Sequence, residues 1–593
     1  MKLEEDIKRH IKDAFKSIFE VELDSAQLFL QPTRKEFEGT HTFVVFPFLK
    51  ISKKSPEATA VSIGDFLKSR SGMIEDYNVV KGFLNLEIGT AVWISSLDDM
   101  LKNKHWGQLD SNGKKVMVEF SSPNTNKPLH LGHLRNNFLG DAISRIIEAA
   151  GYQVKRTNLV NDRGIHICKS MLAYQRWGKG ETPETIQLKG DHLAGKYYVL
   201  FDKYYKEEIA TLVGQGVSEE EAKKKAPILV EAQEMLQKWE QKETEVMNLW
   251  NNMNAWVYAG FETTYQTMGI EFDAIYKESE TYLLGKDIIE EGLKKQIFYQ
   301  REDGSVWIDL KEEGLDEKLV MRSDGTSVYI TQDIGTCDFK YEDFPMDQSV
   351  YVVGNEQDYH FNVLFAIMKK MGRPYGEGLY HLSYGMVDLP GGKMKSREGT
   401  VVDADELMDE MFTTAAKHTL ELGKIEELTE NESENLFRMV GLGALKFFLL
   451  KVDPKKRMLF DPKESIEFQG HTGPFIQYTH ARIAAILRRA SADGINGALS
   501  PIQKMHPREQ ILLAQLVRFE EVIVQAARDY SPAFLAQYVY DLAKDYNGFY
   551  QELSIFNEPD DPLVTFRISL SRLTAKVIRR SMNLLGIEVP NRM

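Results

Sequence analysis

Phe120-Ser121-Ser122-Pro123-Asn124-Thr125-Asn126-Lys127-Pro128-Leu129-His130-Leu131-Gly132-His133-Leu134-Arg135 decides the fold. Val116–Phe120, running into it, is a short apolar strand. Ser121–Leu129 is a polar loop broken by two prolines. Leu131–Ala150 has helical periodicity, with Leu134, Leu139, Ala142, Ile146 and Ile147 apolar, and Gly151 stands where such a helix stops. Tyr152–Val160 reads as a second strand. Strand, loop, helix, strand is the opening unit of a Rossmann-type, doubly wound parallel sheet, so an α/β catalytic domain is expected over 113–405.

Upstream, residues 1–105 mix helical and strand patterns and predict an α+β module. Ile7, Ile11, Phe15 and Ile18 share one face of an N-terminal helix; Thr42–Phe46 and Val79–Ile88 are strand candidates. Lys102–Lys115 is polar, with turn residues, and reads as a linker. Downstream, residues 171 to about 320 are helix-rich and acidic and read as an insertion between two halves of the sheet. Strand patterns return at Ser327–Thr331, Ser349–Val353 and Tyr384–Leu389. Asp403 with Glu406 marks a helix start. Residues 406–470 form a connecting helical stem. Residues 471–593 read as an all-α bundle, with helices over Ile476–Ala490, Arg508–Arg528, Pro532–Glu552 and Val564–Leu585.

The 593 residues carry 73 Lys+Arg and 88 Asp+Glu, a formal charge of −15, which by itself argues against a nucleic-acid partner. The acidity is concentrated between 171 and 470, however, and both ends carry a slight excess of cations. Only local charge touches a ligand. Two cysteines, Cys168 and Cys337, far apart in the chain, give neither a disulfide framework nor a C-x-x-C clip. No apolar run approaches the roughly 18 residues of a membrane span, and no signal peptide opens the chain, so a cytoplasmic protein is expected.

His130-Leu131-Gly132-His133 places two imidazoles on one face of a helix N-terminus. Free N–H groups and a partial positive charge there suit phosphates, and imidazoles can donate to phosphate oxygens as charge builds during transfer. Alone, H-x-G-H is weak: a metal pair or two structural histidines account for most chance occurrences. Helical zinc sites space their histidines four apart, and no third ligand lies close, so no metal site is expected. Gly391-Gly392-Lys393-Met394-Lys395-Ser396-Arg397-Glu398-Gly399 is a Gly-flanked cationic loop suited to a triphosphate.

Taken together, residues 120–135 and 391–399 resemble the two signatures of class I aminoacyl-tRNA synthetases, and the arginyl-specific branch in particular. The resemblance covers nearly the whole chain and implies an ATP-dependent arginine–tRNA ligase, with Mg²⁺ accompanying ATP and no zinc. It implies catalytic roles for Lys127, His130, His133, Lys393 and Lys395, with Arg397 assisting. It implies ATP contacts from Pro123, His130, Gly132, His133, Met386, Val387, Lys393, Met394 and Ser396. For arginine it implies Glu119, Ser121, Asn124, Glu278, Tyr329, Asp333 and Gln357. For tRNA(Arg) it implies an elbow-reading N-terminal module and an anticodon site with Tyr478, Arg482, Tyr550 and Met593. A monomer, with no membrane association, completes the expectation.

Two departures matter. Ser396 replaces the usual second lysine of the loop; Lys127, three residues before His130, stands where the branch carries a compensating lysine. In Asn161-Asp162-Arg163-Gly164-Ile165-His166, Asp162 and Gly164 match the branch but its aromatic is missing, so no catalytic role is assigned there. A small-molecule nucleotidylyltransferase would share H-x-G-H without needing the helical bundle. A non-catalytic RNA-binding paralogue would not need both histidines.

Overall fold

The computed structural model describes residues 2–34, 36–388, 402–421, 428–495 and 498–593. Its centre is a five-stranded, wholly parallel sheet of β1 (Lys115–Glu119), β2 (Gln153–Val160), β3 (Ala274–Lys277), β4 (Gln348–Gly354) and β5 (Leu379–Tyr384), in the order β5-β4-β1-β2-β3. The chain moves outward from β1 to β3, then returns to the other side of β1 for β4. The crevice beyond the carboxyl ends of β1 and β4 is therefore the switch point where such sheets bind ligands.

The first unit forms as its pattern predicts, with α1 at Leu131–Ala149. Along β1, Val116 and Val118 face a core shared with α1, the N-terminal module and the C-terminal bundle. Met117 faces a second core, built with α5 (Tyr329–Asp343), α6 (Asp358–Lys370) and a three-stranded antiparallel sheet within Phe298–Met321. Period-2 alternation puts Glu119 on the Met117 side.

Four strand readings differ from the structure. Val79–Ile88 is not one strand but the end of one, a turn and the next, Ile74–Val80 pairing antiparallel with Phe83–Ile88, because Lys81 and Gly82 adopt left-handed backbone. Thr42–Phe46 is strand only to Val44; Phe46 opens a 3₁₀ turn, Phe46–Phe48, with Pro47 in its middle. Ser327–Thr331 opens α5 instead of forming a strand, because the Thr331 hydroxyl accepts from the Val328 N–H at 3.2 Å and bonds the Val320 carbonyl. Tyr384–Leu389 is displaced: the sheet strand is β5, and Val387–Asp388 pairs with Met458–Leu459 outside the main sheet. Strand β3, within 171–320, forms an edge of the central sheet.

Helices α2 (Ile165–Trp177), α3 (Gly190–Gly214) and α4 (Thr244–Met268) cover the β2–β3 crossover. Beyond the sheet come α7 (Ala404–Glu421), α8 (Glu430–Leu450), α9 (Gly473–Ala492), two helices at Pro507–Val517 and Phe519–Arg528 where one was expected, α10 (Ala533–Glu552) and α11 (Asp561–Leu584). The N-terminal module packs its helix Lys2–Phe19 and the four-stranded antiparallel sheet into the shared core. Cys168 and Cys337 are both buried free thiols.

One contact joins three regions. Lys446 of α8 is buried, and its ammonium donates to the Gly586 carbonyl, just past α11, at 2.6 Å. Asp141 of α1 lies against the same point, ion-paired with Arg145 at 2.8 Å. Gly586 has φ +69°, and a Cβ there would stand 2.7 Å from the Asp141 carboxylate.

Candidate active site at the sheet switch point

The loop leaving β1 turns through two left-handed residues, Ser121 (φ 76°) and Ser122 (φ 47°). Non-glycine residues there cost roughly 1–3 kcal/mol each, so the surroundings must hold them. Asn136 accepts from the Ser121 N–H at 2.6 Å, and Asn158 accepts from the Ser122 N–H at 3.1 Å. The Ser121 hydroxyl lies 2.7 Å from the Tyr265 hydroxyl and accepts from Asn137 at 3.2 Å. The Asn136 amide also donates to the Val352 carbonyl at 2.7 Å, so one side chain spans β1 and β4 at the switch point. Asn136, Asn137, Asn158 and Tyr265 were missed by sequence reasoning. Buried asparagines on the otherwise apolar α1 were the available signal.

The loop ends at His130, the N-cap of α1. Its Nδ1 accepts from the Gly132 N–H at 3.1 Å, while the His130 N–H donates to His133 Nδ1 at 3.2 Å. Two imidazoles thus form a capping box. A Cβ on Gly132 would lie 3.0 Å from the His130 ring, which explains the glycine. The consequence is chemical: an Nδ1 that accepts cannot carry a proton, so each neutral ring keeps its hydrogen on Nε2. Burial, with Lys127 adding, pulls His130 down to about 4. Burial, the neighbouring His130 and Lys127 hold His133 well below the usual value. Both rings are therefore neutral Nε2–H donors near pH 7. Lys127 is partly buried, which lowers its pKa, and among the described residues it forms no ion pair.

Residues 402–405 close this site from the other side. Leu131 N–H donates to Val402 O at 3.1 Å, and Ala404 N–H to Leu129 O at 3.0 Å. Asp403 caps α7 through the Asp405 and Glu406 N–H groups, as expected. His192 of α3 stands 3.3 Å from both Asp403 and Asp405. Burial opposes its charge, but those carboxylates win and raise it. Lys189 pairs with Asp405 and, at 3.3 Å, with Asp191, so an ammonium already serves the carboxylates of this cluster. Lys393, Met394, Lys395, Ser396 and Arg397 lie outside the described residues. Met386 is half exposed and its carbonyl accepts from the Met458 N–H at 3.1 Å; Val387 and Pro123 are buried.

A second cluster gathers acceptors. Asp333, one turn into α5, accepts from His360 Nε2 at 2.6 Å, and Tyr329 precedes it on the same face, 78% exposed. Glu278 faces the same space. Burial raises it to about 6, with Asp162 and Asp333 adding and Arg163 opposing. Asp162, given no catalytic role from sequence, positions Glu278: its carboxylate accepts from the Ser279 N–H at 2.8 Å and from the Tyr258 hydroxyl at 2.8 Å. Arg163 stacks 4.0 Å from the Tyr282 ring, occupying the place of the missing aromatic. Gln357 is exposed beyond β4, and Asn124 is exposed at the loop's outer edge. Glu119 is buried and ion-paired with buried Lys340, and the Ser121 hydroxyl is committed to the loop.

In the bundle, the Arg482 guanidinium lies 5.0 Å from the Tyr478 ring and 5.5 Å from the Tyr550 ring. Tyr550 is 41% exposed, more open than a core aromatic. The tail that carries Met593 runs along α9, where His480 Nδ1 meets Pro590 O at 2.9 Å and Arg488 donates to Asn591 O at 2.9 Å.

Comparison with known proteins agrees with this layout. Residues 96–461 match the family model for the catalytic domain of class I tRNA synthetases (R), 476–593 the DALR anticodon binding domain, and 4–88 the arginyl tRNA synthetase N-terminal domain. The arginine–tRNA ligase of Amoebophilus asiaticus is 59% identical over 592 residues, 99% of each chain; that of Bacteroides fragilis is 54% identical over 597 residues, the full length of both. The Thermus thermophilus arginyl-tRNA synthetase structure superposes with a TM-score of 0.78 at 26% identity, over 99% of each chain. The fold, the site and these relatives lead to one conclusion: the chain belongs to the class I arginyl-tRNA synthetase family.

Proposed function

We propose that the chain joins L-arginine to tRNA(Arg) in two steps at the switch-point crevice. The carboxylate of arginine attacks the α-phosphate of Mg²⁺-bound ATP in line, forming arginyl-adenylate and releasing pyrophosphate. A terminal ribose hydroxyl of the tRNA then attacks the adenylate carbonyl, and AMP leaves. Little covalent chemistry falls to the protein, so its work is positioning and charge neutralisation.

The observation that carries this reading is the double-histidine cap. It aims two neutral Nε2–H donors and a helix N-terminus at one place, where a phosphate gains negative charge. Lys127 supplies a cation to the α-phosphate, with Lys393, Lys395 and Arg397 on the pyrophosphate side. Gly132, Pro123 and Ser396 line the nucleotide, Met394 flanks it, and the backbone at Met386 and Val387 clasps the adenine.

Asp333 and Glu278 accept the guanidinium fork, with Tyr329 and Gln357 at its rim. Glu119 (shared with Lys340) and Asn124 hold the amino end, beside the loop that Ser121 anchors. Lysine leaves acceptors unsatisfied and is rejected. Tyr478, Arg482, Tyr550 and Met593 read the anticodon, and the N-terminal module reads the elbow. The enzyme acts as a cytoplasmic monomer; among the described residues no helix is long and apolar enough to cross a membrane. ATP–pyrophosphate exchange with each amino acid, with and without tRNA, tests the reading. Exchange with an amino acid other than arginine, or none under any condition, overturns it.

A further inference from the structure

On the side of α9 away from Tyr478 and Arg482, a groove of about 900 Å³ opens between α9, α11 and residues 104–108, where the N-terminal module joins the catalytic domain. Its lining includes Lys104, Arg488, Arg572, Lys576, Arg579 and Arg580, and none of its described lining residues is acidic. In a chain where Asp+Glu outnumber Lys+Arg by 88 to 73, that is a strong local reversal.

The cations are held in place by neutral groups. Arg488 and Arg579 donate to Asn591, the latter at 2.6 Å; Lys576 donates to the Asn103 carbonyl, and Arg580 to Gln108 at 2.7 Å. Elsewhere on the same helices, arginines meet carboxylates. Arg567 of α11 binds Glu509 and Glu558, and Arg489 of α9 faces Asp493. Arg572, Lys576 and Arg579 repeat at i, i+4 and i+7, so they form one stripe along α11. Clustering unneutralised cations raises their mutual repulsion, a cost that a bound polyanion removes.

We propose that this groove binds the sugar–phosphate backbone of tRNA, as an electrostatic contact separate from the aromatic cluster at Tyr478, Arg482 and Tyr550. The proposal rests on tRNA being the enzyme's polyanionic substrate. Backbone contacts position a nucleic acid without reading its sequence, and each one neutralised makes affinity more salt-sensitive. The stripe is long enough for more than one phosphate, since seven residues of helix span about 10 Å.

The test is a triple variant of the full chain, Arg572→Gln, Lys576→Gln and Arg579→Gln, measured for tRNA affinity over a salt series. The expected result is tRNA affinity weakened by tenfold or more. The slope of log affinity against log salt becomes shallower by about 2, from roughly 0.7–0.9 per lost contact. KM for arginine and ATP, and kcat at saturating tRNA, stay unchanged. Arg572→Lys with Arg579→Lys keeps the parental slope. Should the triple variant fail to fold, the single variants at exposed Arg572 and Arg579 each lower the slope by just under 1. Parental affinity and slope in the folded Gln variants overturn the proposal. An unmodified chain that charges no tRNA overturns the function on which it rests instead.

Discussion

At the residue scale the histidine cap sets the pH behaviour. His41, His130 and His480 are held near 4 by burial, against an ordinary 6.5. Between those values the unfolded chain takes up protons that the folded one refuses. Stability therefore rises with pH across that window and falls as pH drops from 6.5 toward 4. Thermal melts across that range check the direction. Glu278 titrates near 6 and must be ionised to meet a guanidinium, so arginine binding strengthens as pH rises through 6. Glu278→Gln should weaken arginine binding and abolish this dependence, read from arginine Kd against pH. Asp333→Asn removes one of the two carboxylates proposed to accept the guanidinium fork; with the pair buried by bound arginine, a loss of about 3–5 kcal/mol in kcat/KM for arginine is expected. Unchanged arginine kinetics would show that the guanidinium is read elsewhere. For Lys127→Ala, pre-steady-state adenylation should slow by about a hundredfold or more, with tRNA affinity near parental.

At the element scale α1 does most of the organising. Its N-terminus carries the two capping histidines, and Asn136, one turn in, holds the strained loop. Asn136→Ala leaves the Ser121 N–H and the Val352 carbonyl unpartnered in a buried site. A loss of about 2–4 kcal/mol is expected, seen as a lower denaturation midpoint. The β1–loop–α1–β2 unit was legible in the sequence almost to the residue, because its apolar periodicity and its buried location agree. Ser327–Thr331 and Tyr384–Leu389 misled because short β-branched or aromatic runs fit a strand, a helix start or a bridge equally. Tertiary contacts, such as Thr331 to Val320, made the choice. Arg508–Arg528 kept its helical period through a break near Arg518 that pattern alone does not show.

Across the whole molecule, the placing of His130 and His133 at a helix N-terminus was legible in the sequence, whereas the loop 391–399 lies outside the described residues. The pairings of Glu119 with Lys340 and Asp333 with His360 were not legible, because each joins segments that only the fold brings together. Charge behaves similarly: a net of −15 coexists with a groove that has no acidic residue among its described lining, so the total predicts little about partners. Lys446 gives a further whole-molecule test. Burial lowers it to about 8, with Asp141 opposing that shift and Arg145 adding to it. Between 8 and its ordinary 10.5 the unfolded chain binds more protons, so this group makes stability rise with pH there. Lys446→Met should remove that rise from the stability–pH curve.

The same junction bears on the order of synthesis. Asp141 and Lys446 leave the ribosome well before Gly586, whose carbonyl completes the contact. A nascent chain can thus contain every residue proposed for the nucleotide and arginine sites while the joint between α1, α8 and the end of α11 is still open. Completion of that joint waits on translation of the final segment, which links maturation of the catalytic half to the arrival of the RNA-binding end.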